Sequence, residues 1–271
     1  MRTRSVPHTE PSTPTREAAE PWTSISGVRF LRWGSFIKSW GSKWQPGEHL
    51  SVIAPAGAGK STLVTGLLGL RRYNLVLDPK GGDNTIANLH YPRLPDWPGE
   101  KRMSKLVSDN VANGRPSRYL VGPIVVTTAD LTRLRAACAG ALHDAFEMGG
   151  WTVYVDELQV LTDRRMMNLG GPAARLLVAA RSKGVTFVSS FQAPSWVPQE
   201  AIRQPTWIAV SYTRDTDTVN RLAEIVGRPR AEFRGAVKAL PPFHWIIVGR
   251  DPRSPLLVTK PPYVAPLERK V

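Results

Sequence analysis

The stretch from Leu50 to Thr62 reads LSVIAPAGAGKST and is the strongest indication of the fold class in the sequence. Its first four residues suit a short buried strand, and an apolar run over 63–70 follows with helical spacing. The glycines and alanines in between let the backbone wrap an anion with its N–H groups, and the helix N-terminus adds its positive end. Strand, small-residue loop, Lys60 and helix, in this order, predict a phosphate-binding loop. A chance Gly/Ala turn is the alternative, and the flanking elements argue against it.

Each residue type in this loop has an expected role. Lys60 reaches the terminal phosphates of a nucleotide, and the Ser61 hydroxyl can ligate Mg²⁺. Ala54 stands where the usual pattern has glycine, which a position at the loop entry tolerates. The predicted nucleotide-binding residues are Ala54, Pro55, Ala56, Gly57, Ala58, Gly59, Lys60, Ser61 and Thr62.

An acidic pair follows a later apolar run. Asp156 closes the predicted strand 151–156. Ligands bind at the carboxyl ends of strands in open α/β sheets, so Asp156 can hold Mg²⁺ through water. Glu157 is then placed to act as a general base on the attacking water. The pair predicts hydrolysis in addition to binding; the alternative is that both acids only cap the next helix.

The composition is that of a globular protein with a basic bias. The chain has 271 residues, of which 42% are hydrophobic and 21% charged, and 36 Lys+Arg against 22 Asp+Glu give a net charge of +14. Wholesale disorder is excluded. The single Cys138 excludes an internal disulfide, and no apolar run follows a basic start, so we expect a cytoplasmic protein without a signal peptide. No apolar stretch approaches the roughly 20 residues of a transmembrane segment.

Short apolar runs alternate with longer mixed segments between residues 26 and 250. This pattern is typical of an α/β domain whose mainly parallel central sheet is flanked by helices. Residues 1–25 predict a disordered arm, 81–119 a basic surface insertion, and 251–271 a Pro-rich, lightly anchored tail. The predicted strands are 50–53, 74–78, 124–127, 151–156, 185–191, 207–212 and 244–248. The predicted helices are 60–70, 129–147, 171–183 and 215–226, with Gly149, Gly184 and Gly227 as stops.

Two further segments resemble a known family. The run from Leu75 to Gly81, LVLDPKG, resembles the aspartate-lysine-glycine signature of the FtsK/HerA superfamily of DNA-pumping P-loop ATPases, which includes conjugation coupling proteins and viral genome-packaging ATPases. Residues 180–198 are similar to the family's stretch in which an arginine-bearing helix leads into a strand that ends in a sensor glutamine and a Pro-containing loop. Phe191 departs from the small residue that usually precedes this glutamine. The resemblance extends over about residues 51–227 and implies a RecA-like P-loop NTPase core that uses ATP and Mg²⁺.

The resemblance also implies roles for single residues. Gln192 would report the γ-phosphate, since an amide can bond both phosphate and water. Arg181 would enter the site of a neighbouring subunit as an arginine finger; the alternative is a solvated cation at a helix C-terminus. Arg175 is a second candidate for this role. Lys80 would support phosphate or subunit contacts, or would only pair with Asp78.

A motor that moves duplex DNA grips phosphates, so it needs basic loops. The candidates in this sequence are Lys101, Arg102 and Lys105 of the insertion, and Arg164 and Arg165 after the acidic pair. The alternative is that these cations only confer solubility. The basic segment 29–44, with Trp33, Trp40 and Trp44, could cover adenine or contact DNA, or belong to the core or a subunit interface.

The resemblance to this family implies an ATP-driven translocase of double-stranded DNA. It also implies a homo-oligomeric ring, with a hexamer as the expected form, and we expect this motor to package a viral genome. A capsid portal or a membrane docking protein is the candidate partner. The alternatives are a motor for conjugation or for export of filamentous virus, and a nucleotide-dependent DNA-binding scaffold that hydrolyses little.

Overall fold

The computed structural model describes residues 27–123 and 128–263. The predicted arm, the predicted strand at 124–127 and residues 264–271 therefore lie outside the described residues. In the described part the strands are β1 (Val28–Phe30), β2 (Leu50–Ile53), β3 (Tyr73–Leu77), β4 (Arg93–Leu94), β5 (Ser117–Val121), β6 (Thr152–Val155), β7 (Thr186–Phe191), β8 (Trp207–Ser211), β9 (Trp245–Gly249) and β10 (Leu256–Thr259).

Helices connect most of these strands. They are α1 (Trp33–Gly41), α2 (Lys60–Leu68), α3 (Asn84–Ala87), α4 (Glu100–Ala112), α5 (Thr128–Met148), α6 (Leu158–Thr162), α7 (Gly170–Ala179), α8 (Glu200–Arg203), α9 (Thr216–Ile225) and α10 (Arg230–Lys238). A 3-10 turn at Ala180–Lys183 extends α7, and another lies at Pro194–Trp196. The predicted stops are confirmed: Gly149, Gly184 and Gly227 each have a φ near +70°, where glycine is least strained.

The strands form one sheet in the order β1-β10-β9-β8-β2-β7-β6-β3-β5-β4. Within the described residues, every pairing is parallel except the two made by β9, which runs against β8 and β10. The predicted mainly parallel sheet is confirmed. The ends of β2, β6 and β7 therefore meet at one edge, and the polar loops that follow them are brought together there.

Alternating side chains cover the two faces of the sheet. Leu75 and Leu77 of β3 face a core formed with α5, α7, α9 and α10, while Val76 faces a second core formed with α1 and α2. The result is three layers, with helices on both faces of the sheet. Both faces are buried, which is why the central strands read as continuous apolar runs.

The segment predicted as a basic insertion is partly built into the sheet. It contains α3, β4, α4 and the start of β5, which pairs with β3 along its length. The sequence analysis did not predict this strand, because Arg118 interrupts its run of apolar residues. Its guanidinium donates to the backbone oxygen of Arg71 and lies 5.8 Å from the ring centre of Tyr91.

The predicted C-terminal tail contains a strand of the sheet. Leu256–Thr259 pairs on one side with β1 and on the other with β9, and Leu256, Val258 and Thr259 are buried. The prolines that suggested a tail flank these four residues and leave their backbone N–H groups free to pair. The sheet therefore continues past residue 250.

The tryptophans of segment 29–44 include two core residues. Trp40 and Trp44 are buried, and the ring of Trp40 stacks on Phe36 at 5.2 Å and on Trp44 at 5.0 Å. For these two residues the core alternative is correct, and the alternative that they cover adenine or contact DNA is not.

Candidate nucleotide-binding site

The predicted phosphate loop connects β2 to α2 as expected. Gly57 and Gly59 have φ of 74° and 88°, a left-handed backbone that glycine adopts without steric cost. Lys60 begins α2, and its Nζ donates to the backbone oxygens of Ala54 at 3.0 Å and Pro55 at 3.1 Å. Ala54 and Pro55 thus hold the lysine side chain in place through their backbone oxygens. Neither residue lines the cavity of about 710 Å³ that lies against the loop. Burial lowers the pKa of Lys60, and the charges of Glu157 and Asp156 oppose that shift.

A cavity of about 710 Å³ lies against this loop at the ends of β6 and β7. It brings together most residues that the sequence analysis placed in the site: Ala56, Gly57, Gly59, Lys60, Ser61, Thr62, Asp156, Glu157 and Gln192. Ala58 instead lines a second cavity, of about 690 Å³, that also borders the loop. The cavity thus unites an anion-binding loop with two acids and an amide.

Asp156 is fixed by two hydroxyl donors. Tyr154 Oη donates to Asp156 Oδ1 at 2.7 Å, and Ser190 Oγ donates to the same oxygen at 2.9 Å. Burial raises the pKa of Asp156, while these two hydrogen bonds lower it. The carboxylate is therefore oriented before any ligand arrives. Tyr154 and Ser190 were missed; the signal available was a polar residue inside each of two apolar strands.

Glu157 is held in an unusual backbone conformation. Its φ is 53°, in the left-handed region that a side chain seldom adopts, and its N–H donates to Ser190 Oγ at 3.2 Å. Gln159 Nε2 donates to Glu157 Oε2 at 2.7 Å, and Gln192 Nε2 lies 3.5 Å from both carboxylate oxygens. The predicted base and the predicted sensor are thus neighbours, and Gln159 is an additional amide that the sequence analysis missed.

Two further carboxylates lie in the segment after β3, the strand that neighbours β6. Asp83 Oδ2 accepts a hydrogen bond from Ser61 Oγ at 2.6 Å, and Asp78 Oδ1 accepts one from the N–H of Gly81 at 2.9 Å. Burial, aided by the charge of Asp156, raises the pKa of Asp78 to about 6. Asp83 was missed, although an aspartate after two glycines and before a short helix is a recognisable N-cap.

The oxygen donors in this cavity fit Mg²⁺. Ser61 offers a hydroxyl, and Asp83 and Asp156 offer carboxylates, which are the hard ligands that Mg²⁺ prefers. No cluster of three metal-binding side chains occurs in the part of the chain that the structure describes. Mg²⁺ commonly takes one or two protein ligands and completes its shell with phosphate and water.

The remaining predicted residues lie away from the cavity, except Lys80, which lines it. The backbone of Arg181 adjoins Gly47, where β2 and β7 begin, so the exposed Arg181 is at the opposite edge of the sheet. Arg175 is engaged locally, with Glu147 at 3.3 Å and the ring of Phe146 at 4.2 Å. Neither arginine reaches the cavity of its own chain.

The five candidate DNA-binding cations are exposed on two elements. Lys101, Arg102 and Lys105 lie on α4, so they belong to a helix and not to an irregular loop. Arg164 and Arg165 lie in a turn after α6, where Asp163 Oδ1 accepts the N–H of Arg165 at 2.7 Å.

Five residues of the cavity come from the C-terminal part of the chain. They are Phe243, Trp245, Lys260, Pro261 and Tyr263. No sequence signal indicated them, because they belong to no phosphate-loop motif.

The fold matches solved structures. The DNA-packaging ATPase B204 from Sulfolobus turreted icosahedral virus gives a TM-score of 0.55 at 17% identity, covering 81% of this chain and 100% of that chain. The genome-packaging NTPase B204 from Sulfolobus turreted icosahedral virus 2, solved with ATP-γS, gives 0.55 at 16%, covering 81% and 100%. The bacterial conjugative coupling protein TrwBΔN70 gives 0.53 at 11%, covering 84% and 87%. The chain therefore shares its fold with the two B204 proteins and with TrwBΔN70.

No protein-family model matches the sequence, and a search of curated proteins finds no significant match. Among the helices in the described residues, none is long and apolar enough to cross a membrane.

Proposed function

We propose that this protein hydrolyses ATP to translocate double-stranded DNA, as a viral genome-packaging motor does. The observation that supports this best is the single cavity that unites the phosphate loop with Asp156, Glu157 and Gln192. Gln159 and Gln192 both lie against the Glu157 carboxylate and orient it. A protein that only binds nucleotide has no need for such an oriented carboxylate beside the γ-phosphate.

Each residue has a defined part in the reaction. The loop N–H groups and Lys60 bind the phosphates, and Ser61 and Asp156 would hold Mg²⁺, which would supply positive charge to the phosphate oxygens. Glu157 accepts a proton from the water as the water oxygen attacks the γ-phosphorus. The bond from that phosphorus to the β–γ bridging oxygen breaks, and ADP and phosphate leave. Gln192, close to Glu157, would bond the γ-phosphate and the water.

The partner that we propose is duplex DNA. The net charge of +14 favours a polyanion, and Lys101, Arg102, Lys105, Arg164 and Arg165 are exposed cations that can meet phosphates. The fold is shared with proteins described as a DNA-packaging ATPase and a conjugative coupling protein.

We further propose a ring of identical subunits, most simply a hexamer. Arg181 is exposed at the edge opposite its own cavity, where a neighbouring subunit could bring its cavity against it. The ring would act in the cytoplasm and dock on a capsid portal or a membrane protein.

The test is ATP hydrolysis by the purified protein with and without duplex DNA, over a series of salt concentrations. Stimulation by DNA that weakens as salt rises is the expected result, because phosphate contacts release counterions. If the rate of ATP hydrolysis does not change when DNA is added, the proposal of a DNA motor is refuted. ATP binding without turnover, on DNA or off it, would favour the scaffold alternative.

A further inference from the structure

The chain returns to the nucleotide cavity after β10. Thr259 of β10 pairs with Trp245, which in turn pairs with Ser211 at the end of β8. β10 therefore ends at the same edge as β2, and the next residues emerge beside the phosphate loop. Lys260, Pro261 and Tyr263 all line the cavity. Pro261 is buried and anchors the segment, whereas the side chain of Tyr263 is 80% exposed.

A second aromatic residue lies between this segment and the loop. Phe243 has a φ of 62°, and its ring lies over Gly59, where an added Cβ would be 3.3 Å from Phe243 Cδ1. Half of the Phe243 side chain is exposed. A large apolar side chain kept at positive φ with its ring in solvent is costly and is typical of functional sites.

The order of the strands gives the cavity two chemically different ends. Asp156 follows β6 and Lys260 follows β10, and these strands lie on opposite sides of β2. Asp156, Glu157 and Gln192 can act on the γ-phosphate only if it lies at the end of the cavity next to β6. The phosphate chain must pass Lys60, Ser61 and Thr62, because these form the helix N-terminus that binds anions. The ribose and base are then directed towards β9 and β10.

We propose that Phe243 and Tyr263 enclose the base of the nucleotide and that Lys260 neutralises the phosphate nearest the ribose. This site rests on the proposed function, since it presumes a bound nucleotide. Aromatic rings stack on any base, and a lysine ammonium is a point charge suited to phosphate. The segment that the sequence assigned to a tail is thus part of the nucleotide site.

The second cavity provides the competing location and a matched control. It lies against Pro55–Ala58 and includes Tyr212, which is 40% exposed, but neither Lys60 nor Ser61. Ala56, Gly57 and Phe243 line both cavities, so the two locations for the base adjoin the same phosphate loop, and Tyr212 belongs only to the second.

The experiment compares binding of Mg·ATP and of inorganic tripolyphosphate by calorimetry. Tyr263→Ala should weaken ATP binding roughly tenfold, the value of one stacked base, and leave tripolyphosphate unaffected. Tyr263→Phe should restore ATP binding, because the ring is retained. Lys260→Met should weaken both ligands by a similar factor. Tyr212→Ala should change neither.

If Tyr263→Ala binds ATP as tightly as the wild-type protein does, this inference is overturned, while the proposed function stands. Selective loss of ATP binding in Tyr212→Ala would move the base to the second cavity and also overturn it. If the wild-type protein binds tripolyphosphate and ATP equally, no base site exists. If it binds neither ligand, the proposed function itself fails.

Discussion

The hydroxyl of Ser61 donates a 2.6 Å hydrogen bond to Asp83 Oδ2. The other carboxylate oxygen of Asp83 accepts the N–H groups of Thr85 at 2.7 Å and Ile86 at 3.1 Å, so Asp83 also caps α3. One side chain thus links the phosphate loop to the segment after the LVLDPKG run. In the proposed function, the Ser61 oxygen would face Mg²⁺ and Asp83 would stay in place beside it.

Asp83 can be divided into its two roles by substitution. Asp83→Asn keeps an oxygen that caps α3 and removes the charge, so nucleotide binding should need several times more Mg²⁺ with little change in stability. Asp83→Ala should have the same Mg²⁺ defect and lose about 1 kcal/mol of unfolding free energy. Mg²⁺ titrations of nucleotide binding and urea denaturation measure the two effects. An unchanged Mg²⁺ requirement in Asp83→Asn would exclude Asp83 from the metal site.

Lys60 and Glu157 should fail at different steps. Lys60→Ala should lose nucleotide binding and hydrolysis together. Glu157→Gln should retain binding and lose hydrolysis by about 100-fold or more, because the group that accepts the proton is gone. Trapping of the assembled protein on DNA is expected for this variant. Lys238→Ala, at an exposed helix end, is the matched control. Normal turnover by Lys60→Ala would refute the assigned site.

Asp78 should make stability depend on pH. Its pKa is raised from 3.8 to about 6 in the folded protein. Burial favours the protonated carboxyl, so Asp78 lowers the unfolding free energy at any pH where it would otherwise be ionised. Its contribution to the unfolding free energy is therefore highest below the unfolded pKa of 3.8 and falls as the pH rises through about 6. Asp78→Asn mimics the protonated acid. It should raise the unfolding free energy by about 3 kcal/mol at pH 8 and by only about 1 kcal/mol at pH 4.5. Urea denaturation at both pH values measures this, and a difference independent of pH would contradict it.

Tyr154 should matter through Asp156. Tyr154→Phe removes one of two hydroxyl donors and preserves the shape of a fully buried ring. We expect hydrolysis to fall about tenfold, with a higher Mg²⁺ requirement, as for partners that orient metal ligands. Ser190→Ala should be more severe, because Ser190 Oγ also accepts the N–H of Glu157. If Tyr154→Phe hydrolyses ATP at the wild-type Mg²⁺ concentration and rate, the tyrosine is only a core residue.

The basic residues that contact DNA can be identified from the salt dependence of DNA affinity. Replacing Arg164 and Arg165 by alanine should weaken DNA stimulation and reduce the slope of log affinity against log salt by about one for each DNA phosphate that the variant no longer neutralises. The same substitutions at Lys101, Arg102 and Lys105 test α4. Arg253→Ala is the control, since Arg253 is exposed and pairs with Asp251. An unchanged slope in both sets would place the DNA elsewhere.

Local sequence patterns predicted those parts of the candidate site that are contiguous in the chain. The strand, glycine loop and helix around Lys60 are contiguous, and Asp156 and Glu157 directly follow a buried strand, so propensity and burial pattern suffice. The class of sheet also followed from the sequence, because strands buried on both faces read as apolar runs. Arg118 concealed β5, and flanking prolines concealed β10, since a mixed or very short strand has no distinct period.

The distant segments that complete the cavity could be identified only from the packing of the folded chain. Asp83 reaches Ser61 because α2 and α3 pack on the same face of the sheet. Lys260 and Tyr263 reach the loop because β9 reverses the chain and β10 reverses it again, which returns residue 260 to the edge where β2 ends. Strand order is set by long-range packing, so no local pattern of residues could have indicated these contacts.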